Sequence, residues 1–286
     1  MTPTGMKPTG VALRDAAAQL RAAGIDDAMR DARRLLAHVL GIAPERLVVD
    51  MPQQLEPTAD AALAAAVARR AASEPLSHIT GTRLFYGRSF HVSAAVLDPR
   101  PETETLIELA VREGFRDVLD LGSGSGCILL TLLAECADAT GVGVDVSDAA
   151  LAVAAENAAA LGLDRRARFL VSDWYGAVAG QFDLIVSNPP YISEAEMAQL
   201  SPEVLHEPRL ALTPGGDGLA PYHVIAAGAG AHLRPGGRLL VEIGWRQGAD
   251  VCAILAGADL EDVRLHPDIN GKDRVVSARW GAAPPK

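Results

Sequence analysis

The sequence of 286 residues predicts an α/β protein, in which a small helical domain and a β-hairpin precede a larger domain built on a parallel sheet. Three features indicate this fold. Residues 11–72 carry apolar positions at helical spacing, residues 82–92 alternate as in a hairpin, and from residue 117 short apolar runs alternate with helical patterns. The last kind of alternation is typical of a parallel sheet covered by helices on both faces.

The N-terminal domain, residues 1–74, is predicted to be a helical bundle. Gly24 and Gly41 follow two of its helices, at positions where helix C-caps favour glycine. The pair Glu74-Pro75 is expected to end the helical region. We interpret this domain as a docking or stabilising module that carries no chemistry of its own. Its three helices are expected at Val11–Ala23, Asp26–Leu40 and Pro57–Ala72.

A β-hairpin linker is predicted over residues 75–96, with strands Thr82–Tyr86 and Ser89–Val92 joined around Gly87-Arg88. The larger domain is predicted over residues 97–286. Its strands are expected at Asp117–Leu121, Thr140–Val146, Ala167–Val171, Phe182–Ser187, Arg238–Ile243, Asp262–Leu265 and Arg274–Arg279. Its helices are expected at Cys127–Cys136, at Ser147–Leu161 with Ser147 as the N-cap, and at Pro221–Leu233.

Composition limits the classes of protein to which this chain can belong. Hydrophobic residues make up 49% of the sequence, which is enough for a packed core. The net charge of −10 is unevenly spread: residues 1–90 carry 11 Lys and Arg against 9 Asp and Glu, whereas residues 91–286 carry 15 against 27, a balance of −12. Because an acidic segment repels phosphate backbones, we expect no direct binding of nucleic acid.

The sequence also shows no sign of a membrane, an export signal or a metal site. No run of ~18 apolar residues occurs, and Met1–Gly10 lacks the basic and apolar regions of a signal peptide. The three cysteines match no metal motif, and the seven histidines show no ligand spacing with a carboxylate. We therefore expect a cytoplasmic protein that binds no membrane and no metal.

A glycine-rich turn directly follows the first predicted strand of the larger domain. This segment, Gly122-Ser123-Gly124-Ser125-Gly126, is called the glycine turn below. Glycines let a backbone turn sharply and approach a ligand, and the helix that follows offers free N–H groups. Asp145 ends the next strand, where a carboxylate can hold a ribose diol. The spacing differs from the dinucleotide fingerprint because residue 127 is a cysteine, so this pattern alone leaves NAD and S-adenosylmethionine both open.

A second motif, Asn188-Pro189-Pro190-Tyr191, follows the strand Phe182–Ser187 and is called the proline turn below. Prolines fix φ and lack an N–H, so the nearby carbonyls are free to accept from a ligand. Asn188 adds a side-chain acceptor, and Tyr191 offers a flat ring. Two acceptors and a ring suit a planar nitrogen with two hydrogens, such as an amide or an exocyclic amine. This motif therefore indicates methyl transfer from S-adenosylmethionine, without a dedicated general base.

The residues resemble those of the PrmC/HemK protein-glutamine methyltransferases, or release factor glutamine methyltransferases, over roughly residues 11–280. Serines stand between the glycines of the glycine turn, where the family often has threonines. The motifs that carry the resemblance are Glu74-Pro75-Leu76, His78-Ile79-Thr80-Gly81, Pro99-Arg100-Pro101-Glu102-Thr103-Glu104, Leu119–Gly126, Ser172-Asp173-Trp174, Val186–Ile192, Glu207-Pro208, Gly236-Gly237 and Asp273-Arg274-Val275-Val276.

The resemblance implies a seven-stranded, Rossmann-like methyltransferase sheet whose last strand runs antiparallel. It implies methylation of the glutamine amide nitrogen in the Gly-Gly-Gln loop of peptide chain-release factors, with S-adenosylhomocysteine as the second product. Separately, we expect a monomer whose helical domain docks the release factor. The implied cofactor-binding residues are Gly122, Ser123, Gly124, Ser125, Gly126, Asp145, Asp173, Trp174 and Asn188. The implied substrate-binding residues are Asn188, Pro189, Pro190 and Tyr191, of which Asn188, Pro189 and Tyr191 are catalytic, and Thr103 and Glu104 open a helix near the cofactor.

Two other functions stay open on the sequence. An adenine amino-methyltransferase acting on nucleic acid would use the same proline turn, although it would need a basic recognition surface. A catalytically silent cofactor-binding protein would keep the glycine turn but would not need the proline turn. Glu207-Pro208 and the segment Gly215-Gly216-Asp217-Gly218 are expected either to shape the substrate mouth or to form a structural loop.

Overall fold

A computed structural model describes residues 6–281 of the chain. Residues 1–5, which form half of the segment inspected for a signal peptide, and residues 282–286 of the larger predicted domain lie outside the described residues. No helix in the described part is long and apolar enough to cross a membrane. That part also holds no group of three or more His, Cys, Asp or Glu side chains suited to a metal ion.

The described chain divides into two compact units. The first comprises residues 6–81 together with Ser201–His206, and the second comprises residues 82–200 and 207–281. The domain limits predicted from the sequence stay a prediction.

The first unit is helical, as predicted, and its three long helices lie within two residues of their predicted ends. Gly41 caps the second helix in the left-handed conformation, with φ of 63°. The elements of this unit are β1 (Lys7–Pro8), α1 (Thr9–Ala22), α2 (Ala28–Leu40), α3 (Leu47–Asp50), β2 (Gln54–Leu55), α4 (Pro57–Ala71) and α5 (Leu76–Thr80).

The expectation that Glu74-Pro75 ends the helical region is wrong, because α5 follows it directly. Pro75 is the N-cap of α5, where its missing N–H and fixed φ do not disturb the helix. Gly81 ends the helix with φ of 74°. A helix of five residues is too short to show a helical period in the sequence, which explains the error.

A buried ion pair joins two helices of the first unit. Arg70 Nε lies 2.8 Å from Asp31 Oδ2, and both side chains are excluded from solvent. The other end of the guanidinium, Arg70 Nη2, lies 3.0 Å from Glu203 Oε2. A single arginine therefore ties the separate segment Ser201–His206 to the bundle.

The second unit begins with the predicted hairpin, formed by β3 (Thr82–Phe85) and β4 (Arg88–His91). The turn lies at Tyr86-Gly87, one residue before the predicted pair. Both residues have positive φ, 47° and 73°, as a two-residue hairpin turn requires. The predicted turn at Gly87-Arg88 is wrong because Arg88 already pairs with Phe85.

Seven strands form the sheet of the second unit, in the order β10-β11-β9-β8-β5-β6-β7. The last strand, β11, runs antiparallel to both of its neighbours, and the pairs among β5 to β9 are parallel. These findings confirm the predicted fold class. The strands are β5 (Asp117–Leu121), β6 (Thr140–Asp145), β7 (Ala167–Val171), β8 (Phe182–Ser187), β9 (Leu233–Glu242), β10 (Leu260–Pro267) and β11 (Asp273–Trp280).

Helices cover both faces of this sheet. Neighbouring residues of β5 point to opposite cores: Val118 packs in one with Leu129, and Leu119 packs in the other with Tyr222 and Val251. The last helix, Gly248–Ala256, had no counterpart in the sequence prediction, and neither had the short helices Glu194–Met197 and Arg209–Leu212. The helices are α6 (Glu104–Val111), α7 (Cys127–Glu135), α8 (Asp148–Ala160), α9 (Glu194–Met197), α10 (Arg209–Leu212), α11 (Ala220–His232) and α12 (Gly248–Ala256).

The strand order creates a crevice between the carboxyl ends of β5 and β8. From β5 the chain runs outward through β6 and β7, and it then returns to the other side of β5 as β8. At such a reversal the loops after the two strands diverge and leave room for a ligand. The glycine turn follows β5 and the proline turn follows β8, so both predicted motifs border this crevice.

Candidate active site

A cavity of about 350 Å³ lies at the crevice, within the usual size range of small-ligand sites. Both predicted motifs contribute to its wall. The predicted site residues that line it are Gly122, Ser123, Gly124, Ser125, Asp145, Asp173, Trp174, Asn188 and Pro190. Gly126, Pro189 and Tyr191 belong to the same motifs but do not form part of the wall.

The glycine turn is held by hydrogen bonds that its own backbone N–H groups donate. The N–H groups of Gly122 and Ser123 donate to the Val144 carbonyl at 2.8 and 2.9 Å, and the N–H of Gly126 donates to the Ser123 carbonyl at 2.8 Å. Gly122, Gly124 and Gly126 have φ of 73°, 53° and 77°. These values are unfavourable for any residue that has a Cβ atom. The alternate glycines are therefore required by the shape of the turn.

Asp145 is oriented by two backbone donors. Its Oδ2 accepts from the Gly124 N–H at 3.0 Å, and its Oδ1 accepts from the Ser147 N–H at 2.9 Å. Ser147 Oγ in turn accepts from the Ala150 N–H, so Ser147 is the N-cap of α8 as predicted. Each carboxylate oxygen can accept more than one hydrogen bond, so both keep capacity for a ligand.

A second carboxyl group is buried beneath the glycine turn. Asp120 is excluded from solvent, and Ser123 Oγ donates to its Oδ2 at 2.9 Å. Burial raises the pKa of Asp120 to about 7, and the hydrogen bond from Ser123 offsets part of this rise. From the sequence, Asp120 was predicted only as part of a strand.

The turn after β7 brings Asp173 and Trp174 to the cavity. Ser172 Oγ donates to the Trp174 carbonyl at 2.8 Å and accepts from the Ala177 N–H at 2.9 Å. Trp174 adopts φ of 48° in this tight turn, and its side chain is half-buried. An apolar ring and a carboxylate thus border the end of the cavity next to β6 and β7.

Asn188 presents its side chain to the cavity from the end of β8. Its Nδ2 donates to Thr103 Oγ1 at 3.4 Å, and Thr103 is buried just before α6. With Nδ2 on Thr103, Oδ1 remains the acceptor for a ligand. The predicted helix start is confirmed, because α6 begins at Glu104. The Glu104 carboxylate accepts from the Tyr86 N–H at 2.9 Å. Thr103, just before the helix, lines the cavity.

Behind the proline turn, Tyr191 contacts a carboxyl group that is not among the predicted site residues. The Tyr191 hydroxyl donates to Oε1 of Glu242, the last residue of β9, at 3.4 Å. Burial raises the pKa of Glu242 to about 7, and a hydrogen bond from the Thr103 side chain offsets part of this rise. A carboxylate at the end of an apolar strand was the signal that identified Asp145, and the same signal was present here.

An ion pair with a buried carboxylate supports another part of the wall. Arg100 Nη2 donates to Glu207 Oε1 at 2.5 Å, and Glu207 is buried. Burial raises the pKa of Glu207, while the charge of Arg100 opposes the rise. Arg100 and Pro208 both line the cavity. Pro208 therefore forms part of the cavity wall, and whether the Glu207-Pro208 segment shapes the substrate mouth stays a prediction.

Two family models match the chain. A model described as the PrmC N-terminal domain matches residues 11–81, and a model described as the methyltransferase small domain matches residues 93–223. Among solved structures, a methyltransferase from Pyrococcus furiosus has a TM-score of 0.53 and 15% sequence identity, covering 69% of this chain and 91% of that one. This likeness shows a shared fold.

Relatives of known name match almost the whole chain. The release factor glutamine methyltransferase of Cereibacter sphaeroides is 59% identical over 273 residues, covering 95% of this chain and 98% of the relative. The protein of the same name from Rhodospirillum rubrum is 48% identical over 271 residues, covering 93% of this chain and 83% of the relative. The chain therefore belongs to the family of release factor glutamine methyltransferases, as its resemblance to the PrmC/HemK proteins predicted.

Proposed function

We propose that this chain transfers a methyl group from S-adenosylmethionine to the side-chain amide nitrogen of the glutamine in the Gly-Gly-Gln loop of peptide chain-release factors. Membership of the family supports this substrate. The observation that carries the proposal is that Asn188 and the glycine turn line one cavity, with Asn188 Nδ2 on Thr103. An acceptor for a planar NH2 group thus borders the space suited to a methyl donor.

The residues of the cavity fit S-adenosylmethionine. Cβ atoms added at Gly122 and Gly124 would meet no protein atom within 4 Å, so the backbone there faces open space. Asp145 would hold the ribose hydroxyls, and Asp173 and Trp174 would border the adenine. The cavity thus offers the two carboxylate oxygens of Asp145, the ring of Trp174 and the exposed backbone of Gly122 and Gly124. A ligand made of a nucleoside and an amino-acid tail requires these kinds of contact.

The chain's own contribution to the reaction is positioning. When bound, S-adenosylmethionine supplies an electrophilic methyl group on a sulfonium sulfur. An amide nitrogen is a weak nucleophile because its lone pair is delocalised. Asn188 Oδ1 and the Pro189 carbonyl would accept its two hydrogens, while Pro190 and Tyr191 would hold its plane. Holding the reacting atoms about 3 Å apart in this way lowers a barrier by roughly 7–11 kcal/mol in good cases.

We assign no general base. An amide nitrogen that has gained a methyl group is transiently cationic and strongly acidic, so it loses a proton without help. Of the two buried carboxyl groups near the cavity, Asp120 binds Ser123 and Glu242 binds Tyr191 through one oxygen each, and neither residue forms part of the cavity wall. We therefore propose that both support the structure of the site and that neither receives the substrate proton.

An adenine amino-methyltransferase is the main competing function. Its exocyclic amine would fit the same acceptors. Residues 91–286 carry 27 Asp and Glu against 15 Lys and Arg, and this acidic balance disfavours a nucleic-acid backbone. We also propose that the enzyme acts as a monomer in the cytoplasm, that the helical unit docks the release factor, and that neither nucleic acid nor membrane is a partner.

A methyl-transfer assay separates these functions. Labelled S-adenosylmethionine is supplied with release factor, with a variant whose loop glutamine is replaced by alanine, or with adenine-containing oligonucleotides. The proposal expects label only in the unmodified release factor. Label in the oligonucleotides and none in the release factor would reject it. Binding of S-adenosylmethionine with no label in any substrate would indicate the silent alternative.

A further inference from the structure

The proline turn has few internal donors to hold its shape. Pro189 and Pro190 have no N–H, and no backbone hydrogen bond joins two residues of the turn in the described chain. Rigid placement of Asn188 and Tyr191 therefore depends on groups from elsewhere in the second unit. The residues that contact the turn from outside show which groups do this.

Gln247 is the side chain that contacts the end of the turn. Its Nε2 donates to the Tyr191 carbonyl at 3.0 Å. Its Oε1 accepts from the Gly244 N–H at 2.9 Å, while the Tyr222 hydroxyl, 3.4 Å from the same oxygen, lies closer to the Glu242 carbonyl at 3.0 Å. The Gly244 N–H fixes the oxygen end of the amide, so the other end points its N–H groups at Tyr191. Gln247 does not form part of the cavity wall, and the hydrogen bonds of its side chain all go to groups of the protein itself.

The glycine-rich segment 215–218 supports the same carbonyl from another side. Gly218 has φ of 83°, and a Cβ there would overlap the Tyr191 carbonyl oxygen. The residues just after the turn pair with this part of the chain, since the Ile192 N–H donates to the Leu212 carbonyl and the Glu194 N–H to the Gly216 carbonyl, each at 3.0 Å. The segment is thus packed tightly against the end of the proline turn.

We propose that Gln247 is a positioning residue for methyl transfer, which, against the packing surface of Gly218, fixes the Tyr191 carbonyl and thereby the whole proline turn. This inference rests on the proposed function. With the Tyr191 carbonyl engaged by Gln247, that carbonyl does not compete with Asn188 and Pro189 for the substrate amide. Gln247 acts through the turn and does not itself contact the reacting atoms.

Two substitutions of Gln247 separate the role of its side-chain oxygen from the role of its side-chain nitrogen. Gln247→Glu keeps an acceptor for the Gly244 N–H but replaces the donor with a carboxylate that repels the Tyr191 carbonyl. Gln247→Met has a similar length and removes both hydrogen bonds. We expect kcat for release-factor methylation to fall about 10–100-fold in both variants, because a small misplacement of reacting groups costs this much. The same substitutions at the exposed Gln199 are the matched controls and should leave kcat unchanged.

The dissociation constant for S-adenosylmethionine, measured by calorimetry, separates positioning from a general structural role. We expect it to stay within about twofold of the wild-type value in both variants, because the glycine turn is held independently. Affinity for S-adenosylmethionine that falls in step with kcat would overturn the inference. Wild-type kcat in both variants would overturn it as well, and it would leave the proposed function intact.

Amide hydrogen exchange tests the clamp without any substrate. The Gly244 amide should exchange faster in Gln247→Met and stay protected in Gln247→Glu, while the Ile192 amide should exchange faster in both. Unchanged exchange at Ile192 would overturn the clamp. Failure of the wild-type enzyme to methylate release factor would instead overturn the proposed function, so the two failures are distinguishable.

Discussion

The glycine turn and the proline turn border one cavity, yet they are held in different ways. Backbone hydrogen bonds to the adjacent strand β6 and within the turn itself hold the glycine turn, with further support from the side chains of Asp145 and Asn157 in the next strand and helix. The proline turn is held by side chains that are distant in sequence, namely Thr103, Glu242 and Gln247. A turn rich in glycine can thus be fixed largely through its own N–H groups, whereas a turn rich in proline has fewer of them and depends on side chains from other elements.

The largest expected effect separates the two turns by function. Asn188→Ala removes a side-chain acceptor from the proline turn and leaves the glycine turn unchanged. We expect kcat for release-factor methylation to fall by about 10³-fold, as for the loss of one well-placed polar group at a reacting centre. The dissociation constant for S-adenosylmethionine should change less than about twofold. Steady-state kinetics and calorimetry measure the two quantities.

The control for this experiment is Asn270→Ala, an equal truncation at an exposed position in the turn between β10 and β11. It should behave as wild type in both measurements. If Asn188→Ala loses cofactor binding together with catalysis, the two turns are not independent and the role given to Asn188 is misassigned.

The second effect concerns the buried carboxyl groups, one behind each turn. Burial raises the pKa of Glu242 from 4.5 to about 7, although Arg274 and Tyr191 nearby favour its charged form. Folding therefore favours the protonated group, and this stabilisation is complete below pH 4.5 and is lost as the pH rises to about 7. The loss corresponds to about 3 kcal/mol in the free energy of unfolding. Asp120, raised from 3.8 to about 7, should act in the same direction.

Urea unfolding of wild type and Glu242→Gln between pH 4.5 and pH 8 measures this effect. Relative to the variant, wild type should lose about 3 kcal/mol of stability as the pH rises to 7, and little beyond. Asp120→Asn provides the matched comparison behind the glycine turn. A stability difference between wild type and Glu242→Gln that does not change with pH would show that Glu242 folds in its charged form.

The same contrast explains how far the sequence could be understood before the structure. The glycine turn, Asp145 and the N-cap Ser147 are local, because their partners lie within the next strand and helix, so spacing alone indicated them. Glu242 and Gln247 reach the proline turn only through the order of strands in the sheet, which brings β9 beside β8. A side chain 56 positions away from its partner leaves no periodic signal. Glu242 and Gln247 were therefore missed as supports of the proline turn, although the turn itself was found and Thr103 was placed near the site.

A third, smaller effect tests the backbone of the glycine turn. Gly126→Ala places a side chain at φ of 77°, which costs about 1–2 kcal/mol. The new Cβ would also lie 3.1 Å from Ala154 Cβ and from Leu130 Cδ1. We expect affinity for S-adenosylmethionine to fall about 10-fold, because the turn must shift away from these neighbours. Calorimetry measures the affinity.

Gly162→Ala is the matched control for that variant. Gly162 has a similar φ of 68°, but an added Cβ would meet nothing within 4 Å. It should lower thermal stability through the same backbone cost and leave the affinity for S-adenosylmethionine unchanged. Equal losses of affinity in the two variants would mean that global stability, and not the local shape of the turn, controls cofactor binding.

The smallest effect compares the helix caps beside the two turns. Ser147 caps α8, a helix of 13 residues next to the glycine turn, and Ser193 caps α9, a helix of four residues just after the proline turn. Ser147→Ala should lower the free energy of unfolding by about 1 kcal/mol, the usual cost of losing an N-cap. Ser193→Ala should cost only a few tenths of a kcal/mol, because this short helix buries only Met197 and can fray locally. Urea unfolding of both variants measures the difference, and a larger loss for Ser193→Ala would show that α9 contributes more to the support of the proline turn than its length suggests.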